Sequence, residues 1–454
     1  MTKDISRREL IRLGAGTALA LGVPPILSHC GGGASVPPPD RGGTPATVHA
    51  VLGDTLGGLC SMAVQSTQAL GIARNALLGA KVFIKPNFVG LGIFEGFDPA
   101  TGECTKPEIV AAVAEQCLLA RASKVTIGDG AQGVSWSWET VRFLPGTTFH
   151  GTTNLAAAVS YLNTTYGDKV ELVCLNEADQ WTRVPSSCTK PPLTEGLLVA
   201  RSFHEADHVI SIPVLKAHQW AGLTLSMKCL LGVTPLLPYR VIGEPSRGLL
   251  HVSYAETACG GVQNAGIAGC YLDVLRSRKE KGAQDFAIIE ASIGLEKNGP
   301  HKWDETVPID LPGSGGVTID FKKRNRAGKY FMLASTDLAA ADSVAARIAG
   351  YGPDTLKQLV IAHNLGLGET RKVTLRGASL DDLAIPDWLR ADRLEEWGVT
   401  ASTLTSRSKD PAWTQCLPLN QIIALACPTA AVCLIKWLRG RNGRPQGASH
   451  VRVP

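Results

Sequence analysis

The stretch HVISIPVLKAHQWAGLTLSMKCLLGVTP, residues 208–235, joins an apolar strand to a group of cationic side chains. Its branched apolar residues predict a buried strand over residues 208–214. Lys216 and His218 follow that strand, and Lys228 comes ten residues after His218. Two lysines and a histidine are not needed to fill a core. The stretch therefore predicts an anion-binding or catalytic site at the end of a strand.

Apolar segments that predict buried strands recur on both sides of this stretch. Short apolar runs alternate with segments of helical spacing, which is typical of parallel β–α–β units covered on both faces. The other predicted strands are 81–84, 124–128, 169–175, 286–290, 330–334 and 371–375. The predicted helices are 107–120, 271–281 and 338–349, the last capped by Ser335 or Thr336, while 136–167 is interpreted as an irregular insertion. We predict an α/β fold of mainly parallel sheets flanked by helices, with lobes at about 48–200 and 201–400.

The net charge and the missing sequence motifs argue against several functional classes. A formal net charge of +5 is small for 454 residues, and no stripe of Lys and Arg interleaved with aromatics is present. Nucleic acid is therefore not an expected partner. No GxSxG or P-loop sequence occurs, so the familiar serine hydrolase and nucleoside triphosphatase classes lose their usual motifs.

The twelve cysteines form no CxxC pair and no ferredoxin-type run. The chain therefore has no recognisable iron–sulfur motif of its own, its cofactor is left open, and no metal ligands are predicted. Disulfides between Cys104 and Cys188, or between Cys259 and Cys270, are candidates, although spacing alone does not determine the pairing.

The first 34 residues resemble a twin-arginine signal peptide. SRRELIR at residues 6–12 precedes a weakly hydrophobic run at 13–27. This resemblance implies export of a folded protein by the twin-arginine machinery, to the periplasm or otherwise outside the cytoplasm. Cys30 stands in an imperfect lipoprotein box, and cleavage near Ala34 is the alternative. Residues 35–47 have the composition of a flexible linker.

Residues 401–454 form a predicted C-terminal extension. An apolar run at 422–435 contains Pro428 and precedes a basic tail. A buried helix and a short membrane anchor both fit this pattern. Membrane contact is expected only through this tail or through the signal peptide.

Polar side chains follow several of the predicted strands. Lys85 and Asn87 follow the first, Asp129 the second, and Lys216 and His218 the fourth. Because ligands of parallel sheets bind at the carboxyl ends of the strands, we expect these side chains to converge. Lys85 suits phosphate or carboxylate as a point charge. Asp129 has three open roles: orienting a lysine, binding a metal or capping a helix.

Lys216 and Lys228 lie twelve residues apart, so a turn can bring both to one pocket. A crowded or desolvated lysine has a lowered pKa, which suits a base or a nucleophile, while neutralising an anion is the simpler role. His218 suits acid–base chemistry. Arg247 and His251, four residues apart, are expected to reach the anion from a second loop.

These residues resemble the family catalogued as domain of unknown function 362. Its pattern D-x-V-I-x-x-P-x-x-K-x-H, leading into K-N-L-x-G, is similar to residues 207–232. Further blocks are similar to residues 85–87, 128–130, 247–251, 296–300, 335–342 and 366–368, so the resemblance covers about residues 80–380. Cys229 replaces the usual Asn after the lysine, and Glu290 replaces an Asp at the end of its predicted strand.

The resemblance implies a site more clearly than a reaction. Many members carry a ferredoxin-like module, whose motif this chain lacks. We expect an enzyme acting on a small anionic substrate or a phosphate-bearing cofactor. The alternatives are a redox protein working with an external ferredoxin-like partner and a non-catalytic periplasmic protein that binds an anion or metal. The expected catalytic residues are Lys216, His218, Lys228 and Asp129, and the expected substrate-binding residues are Lys85, Asn87, Arg247, His251 and Asp342.

Overall fold

A computed structural model describes most of the chain between residues 45 and 390. The described residues are 45–91, 97–133, 135–177, 180–188, 196–218, 221–239, 247, 250, 259–262, 265–297, 299, 317–320, 325–352 and 354–390. Within these ranges, no helix is both long and apolar enough to cross a membrane. The predicted signal peptide, residues 35–44 of the linker, His251 and the C-terminal extension lie outside them.

Thirteen strands and nine α-helices are found in the described residues. The strands are β1 Ala46–Gly53, β2 Lys81–Pro86, β3 Lys124–Asp129, β4 Val170–Cys174, β5 Trp181–Val184, β6 Leu197–Ala200, β7 His208–Ile212, β8 Val214–His218, β9 Gly222–Thr224, β10 Phe286–Glu296, β11 Val317–Asp320, β12 Tyr330–Ser335 and β13 Val373–Arg376. The helices are α1 Leu59–Ala69, α2 Pro107–Leu119, α3 Leu155–Tyr166, α4 Arg201–Glu205, α5 Ser226–Cys229, α6 Ile267–Glu280, α7 Leu338–Ile348, α8 Lys357–Asn364 and α9 Leu380–Leu383.

Eleven strands of the described chain form one mixed sheet, with the main path β13-β1-β12-β10-β7-β2-β3-β4. The stretch from β10 through β7, β2 and β3 to β4 is parallel, and β13 is parallel to β1. β12 runs antiparallel to both of its neighbours, β1 and β10. The predicted α/β fold, with mainly parallel strands flanked by helices, is confirmed.

Helices cover both faces of this sheet, as the continuous apolar strands require. In β2, Val82 and Ile84 pack in a core that includes the buried faces of α1, α2 and α3. Phe83 points to the other face, where the core includes α6, α7 and α8. Because successive strand residues alternate between faces, a strand buried on both sides must be apolar throughout. In β2 the polar side chains, Lys81 and Lys85, therefore lie at or next to its ends.

The strand predicted over residues 208–214 is two strands. β7 ends at Ile212, and β8 begins at Val214. Pro213 lies between them and has no N–H to donate, although its carbonyl accepts a hydrogen bond from Glu290 N at 2.9 Å. Consequently Lys216 and His218 lie inside β8 and at its last residue, rather than after the strand.

Other boundaries also differ from the predictions. α3 occupies part of the segment predicted to be an irregular insertion, and Asn154 caps it through its side-chain oxygen. Asp337 caps α7, because the carboxylate reaches an N–H of the first turn; the predicted caps Ser335 and Thr336 were wrong. β10 extends to Glu296, so Glu290 lies within this strand and not at its end.

Strands from both sides of residue 200 share the main sheet. β1 to β4 precede that residue, and β7, β10 and β12 follow it. The division into lobes at about residue 200 stays a prediction. β1 begins at Ala46, two residues before the predicted start of the domain.

One disulfide joins Cys188 to Cys259, with 5.2 Å between the Cα atoms. Both predicted pairings were therefore wrong, and Cys104 and Cys270 are buried free thiols. The loop that carries Cys188 is held at α6, because the Cys188 N–H donates to a carboxylate oxygen of Asp273 at 3.2 Å. This contact joins segments that are distant in sequence, so cysteine spacing alone could not reveal the pair.

Candidate functional site

The carboxyl ends of β2 and β3 form the floor of a pocket. These strands are paired in parallel, with Ile84 opposite Ile127, so the residues that end them lie side by side. Lys85 Nζ is 2.6 Å from Asp129 Oδ1, and both side chains are almost fully buried. The other carboxylate oxygen of Asp129 accepts the Phe88 N–H at 2.6 Å. Asp129 therefore holds Lys85 and the loop that follows β2.

The wall above this ion pair begins at α5 and continues through residues 230–233. Gly232 O accepts the N–H of Gly130 at 2.9 Å, which joins the wall to the end of β3. A side chain at Gly232 would place its Cβ 2.7 Å from Asp129 Oδ1 and 2.8 Å from Lys85 Nζ. Such distances are closer than van der Waals contact, so the glycine is required for this close approach.

Arg247 closes another side of the pocket and is held by the backbone. Its guanidinium donates to Thr234 O at 2.8 Å and to Gly130 O at 2.6 Å. It also donates to Asn176 Oδ1 at 3.1 Å. Burial lowers the pKa of Arg247 to about 10, and the nearby Asp129 carboxylate opposes this shift. Arg247 is thus a fixed positive charge that is already satisfied by acceptors of the protein.

The pocket enclosed by these elements has a volume of about 60 Å³, which is room for a few waters or a ligand of a few non-hydrogen atoms. It contains six of the nine predicted site residues. The lining residues are Lys85, Asn87, Val89, Asp129, Gly130, Ala131, Gln132, His218, Lys228, Cys229, Leu231, Gly232 and Arg247.

Lys228 is the unusual cation of this pocket. Lys85 and Arg247 donate to protein acceptors, whereas the ammonium of Lys228 makes no hydrogen bond or ion pair with any described residue. Desolvation is the largest cause, and together with the charges of Lys216, Lys85 and Arg247 it lowers the pKa of Lys228 to about 7. A partly buried ammonium without a partner has lost water and gained nothing from the protein, so it favours an anionic ligand or the neutral amine.

Lys216 lies behind the pocket and does not line it. Its ammonium donates to the backbone carbonyl of Glu103 at 2.5 Å, and its side chain is fully buried. Burial lowers the pKa of Lys216 to about 8. Its charge acts on Lys228 through space, as the second cause of the lowered Lys228 pKa.

His218, at the end of β8, and Asn87, directly after β2, also line the pocket. His218 Nδ1 accepts the N–H of Ala221 at 3.3 Å, so a neutral imidazole carries its proton on Nε2. The Asn87 N–H donates to Thr105 Oγ1 at 2.9 Å, which fixes its backbone. Its side-chain oxygen is buried and makes no hydrogen bond to any described residue, so a donor from a ligand can satisfy it.

Asp342 lies on α7, away from the pocket lining. Its carboxylate accepts from Ser226 N at 2.8 Å, from Met227 N at 3.0 Å and from the Ser226 hydroxyl. Burial raises the pKa of Asp342 to about 7, while these hydrogen bonds oppose the shift. Asp342 thus positions the start of α5, the helix that carries Lys228. The structure does not describe His251, the ninth predicted residue.

Two polar lining residues, Cys229 and Gln132, are absent from the predicted site, and Asn176 supports the pocket from outside its lining. Cys229 lies 3.9 Å from Lys85 Nζ, and burial raises the pKa of its thiol. Gln132 lines the loop after β3. Asn176 follows β4 and donates to Ala131 O and Gly133 O, each at 2.7 Å. The rule that polar residues cluster at carboxyl ends of parallel strands could have found Asn176, since β4 is the next strand of the sheet.

Residues 128–133, GDGAQG, match the GxGxxG string of dinucleotide-binding turns. In those turns, free backbone N–H groups and a helix N-terminus face a pyrophosphate. Here the N–H of Gly130 bonds to Gly232 O, and that of Gln132 bonds to Val89 O at 3.1 Å. No helix of the described chain begins directly after the string. The geometry therefore differs from that of a dinucleotide site.

Residues 204–208, HEADH, match the HExxH string of zinc proteases, which places both histidines on one helix face. α4 ends at Glu205, Ala206 is extended, and His208 begins β7. His208 Nδ1 is instead 2.9 Å from Gln284 O. Among the residues that the structure describes, no group of three or more His, Cys, Asp or Glu side chains is placed to hold a metal.

Fold and pocket together define an α/β protein with a cationic pocket at the carboxyl edge of its main sheet. The chain belongs to the family described as Domain of unknown function (DUF362), whose model matches residues 82–347. This confirms the predicted family. No curated protein matches the chain.

Two solved structures show distant similarity. The lactate racemase apoprotein from Thermoanaerobacterium thermosaccharolyticum has 10% identity and a TM-score of 0.29, with 66% of this chain and 57% of that chain covered. A protein from Thermotoga maritima has 10% identity and a TM-score of 0.32, with 66% and 60% covered. The chain thus spans less than two thirds of either protein, and neither likeness is close enough to indicate a shared activity.

Proposed function

We propose that this chain is an enzyme that acts on a small anionic substrate, or on the phosphate of a cofactor, in the pocket beside Lys228. The observation that carries the proposal is the ammonium of Lys228, which lines the pocket without a hydrogen bond or ion pair to any described residue. A buried charge without compensation is costly for a fold. An anionic ligand supplies the missing compensation.

The surrounding groups have separable roles in this proposal. Lys85 and Arg247 supply positive potential from fixed positions, because each is already held by protein acceptors. Asp129 is engaged by Lys85 and the Phe88 N–H, so we assign it the positioning of Lys85. Proton transfer then falls to His218, whose residue type suits acid–base chemistry, and to Lys228, whose pKa is lowered to about 7.

The size of the pocket supports a small ligand. Its volume of about 60 Å³ accommodates the reacting end of a substrate, such as a phosphate or a short carboxylate. A larger cofactor would place only its phosphate there.

Thermal unfolding with and without anions tests the proposal. Inorganic phosphate and small carboxylates are expected to raise the melting temperature of the wild type. They should not raise that of Lys228→Met, which keeps the side-chain length and removes the charge. Lys169→Met is the matched control, because Lys169 is an exposed lysine outside the pocket. An equal shift in Lys228→Met and wild type would place the anion elsewhere.

The same preparation distinguishes an enzyme from a binding protein. Conversion of the anion that gives the largest shift, followed by chromatography, supports the enzyme, whereas tight binding without turnover supports a periplasmic binder. Metal analysis and visible absorption of the purified protein test the alternative redox function with an external ferredoxin-like partner. A coloured, metal-containing protein would favour that alternative.

We also propose that the protein is exported by the twin-arginine route. The disulfide between Cys188 and Cys259 supports an oxidising compartment, since structural disulfides are rare in the cytosol. Replacing Arg7 and Arg8 together by lysine should leave the protein in the cytoplasmic fraction of the cell, while the parent chain appears outside it. If the variant and the parent chain were found outside the cytoplasm in equal proportion, export through these arginines would be contradicted.

A further inference from the structure

Lys228 differs from the other cations of the pocket in being chemically available. Lys85 donates to Asp129 Oδ1 and to Pro86 O, both at 2.6 Å, and Arg247 donates to several oxygens. Both side chains therefore already donate to acceptors of the protein, which hold their positive charges in place. The amine of Lys228 lines the same cavity with no acceptor among the described residues, so a ligand can approach it without displacing a protein contact.

The charges around Lys228 favour its neutral amine. Desolvation is the largest cause, and the positive charges of Lys216, Lys85 and Arg247 add to it, so that the pKa falls to about 7. At neutral pH a substantial fraction of the side chain is then a free amine, whereas an exposed lysine is almost entirely protonated. A free amine in a cationic pocket is the arrangement in which lysine acts as a nucleophile toward carbonyl groups.

The charge of the product decides which carbonyl compounds suit the site. A protonated imine on Lys228 keeps one positive charge beside Lys85 and Arg247, and the carboxylate of Asp129 is already paired with Lys85. A neutral aldehyde or ketone brings nothing to compensate that charge. A carbonyl compound that carries its own carboxylate next to the carbonyl group compensates it directly.

We propose that Lys228 forms a protonated imine with a small 2-oxo acid whose carboxylate is held by the positive charges of Lys85 and Arg247. This inference rests on the proposed function, because it uses the same anion pocket. It adds the substrate class and a covalent step. The cavity volume of about 60 Å³ restricts the acid to a short chain at the reacting end.

The step balances without an oxidant or a cofactor. The nitrogen lone pair of the neutral amine attacks the carbonyl carbon, the C–N bond forms, and the π electrons of the carbonyl move to oxygen. One proton from nitrogen and one from the medium leave with that oxygen as water, and the C=N bond remains protonated. Amine, 2-oxo acid and one proton thus give the iminium carboxylate and water.

His218 is placed to carry these protons. It lines the same pocket, and because Nδ1 accepts the Ala221 N–H, the proton of the neutral ring sits on Nε2. Removal of a proton from the attacking nitrogen and its delivery to the departing oxygen both suit a histidine side chain, which can accept and donate protons.

Reductive trapping tests the proposal on the full chain. Sodium cyanoborohydride adds hydride to an imine carbon and converts it to a stable secondary amine. With pyruvate as the probe, intact-mass analysis should show one 1-carboxyethyl group, and peptide mapping should place it on Lys228. Acetone, which lacks the carboxylate, should react at least about tenfold more slowly at Lys228. Propanoate, which lacks the carbonyl, should slow the labelling by competition.

Matched variants make the result specific. Lys228→Arg keeps a positive charge without a nucleophilic amine and should lose the label, while Lys169→Arg should keep it. Lys228 makes no side-chain hydrogen bond to a described residue and Lys169 is exposed, so neither change removes a known side-chain hydrogen bond. The melting temperature of each variant checks that it is folded.

The outcomes separate this inference from the proposed function. Label on Lys228 with preference for pyruvate over acetone supports it. Label spread over exposed lysines, or on Lys216, overturns it. Pyruvate could raise the melting temperature of the wild type but not of Lys228→Met, without any label on Lys228. That result would support the anion pocket and contradict the covalent step. If pyruvate and phosphate give neither a shift nor a label, both proposals fall.

Discussion

Lys106 and Lys228 both bring an ammonium group into the protein, but their surroundings differ. Lys106 Nζ lies 2.7 Å from Glu290 Oε1 and donates to Ile293 O at 2.5 Å, and neither partner of this ion pair is exposed. Glu290 is in turn bonded to the N–H and hydroxyl of Ser292. Lys228 has no such partner among the described residues.

The difference shows how one kind of side chain serves structure in one place and a ligand in another. A buried ion pair repays the loss of water only when hydrogen bonds satisfy both members, as they do at Lys106. At Lys228 the loss of water is left uncompensated, which is what a site for an anion or for a reactive amine requires. Substitutions in the two regions should therefore have opposite effects on stability.

The largest loss of stability is expected from breaking the ion pair between Lys106 and Glu290. Lys106→Met leaves the Glu290 carboxylate buried without its partner, and we expect the free energy of unfolding to fall by about 3–5 kcal/mol. Urea unfolding followed by circular dichroism measures this. Lys106→Met combined with Glu290→Gln removes both charges, keeps an acceptor for Ser292, and should recover more than half of the loss. A single variant as stable as wild type would contradict the assigned role of the pair.

A smaller loss of stability is expected from changing Asp342, the buried carboxylate that holds the start of α5 and so positions Lys228. Asp342→Ala removes the acceptor of Ser226 N and Met227 N, two buried donors at the start of α5. We expect a loss of about 2–4 kcal/mol. The response of the melting temperature to phosphate should weaken too, because α5 carries Lys228.

Asp342→Asn is the control for this second change. It keeps one side-chain oxygen that can accept a hydrogen bond, so about half of the stability and part of the phosphate response should remain. If Asp342→Ala unfolds more easily but responds to phosphate as wild type does, Asp342 supports the fold without positioning Lys228.

The pocket was largely predictable because one rule of parallel sheets placed its residues. Lys85, Asn87 and Asp129 follow or end strands that pair in parallel, and neighbouring carboxyl ends meet whatever the rest of the fold does. Lys228 was predictable because it is a lysine twelve residues after Lys216, close enough for a turn to bring it to the same site. The same rule applied to β4 would have added Asn176.

The remaining parts of the site depend on contacts between distant segments. The bonds of Asp342 to Ser226 and Met227 join residues more than a hundred positions apart, and no local pattern records them. The pairing of Cys188 with Cys259 likewise depends on how the loop after β5 lies on α6. One strand was predicted through Pro213, whereas the structure breaks it there and continues with β8, which buries Lys216.

Lys228→Met is expected to have the smallest effect and the opposite sign. The pKa of Lys228 is lowered from 10.5 to about 7 on folding, so the folded protein binds fewer protons than the unfolded chain between these values. The wild type therefore carries its full penalty below pH 7, loses the penalty progressively from pH 7 to 10.5, and has none above. The penalty has a ceiling of about 5 kcal/mol. Water in the pocket lowers it, so we expect about 1–3 kcal/mol.

Urea unfolding of the two proteins as a function of pH measures this penalty. At pH 6 the variant should be the more stable, and its advantage should shrink steadily as the pH rises through the pKa of about 7 toward 10.5. Lys169→Met, at an exposed site, should show no such dependence. A Lys228→Met variant that is less stable than wild type at pH 6 would mean that Lys228 is compensated as Lys106 is. The contrast between the two lysines would then be lost, because the ammonium in the pocket would already be paired within the protein.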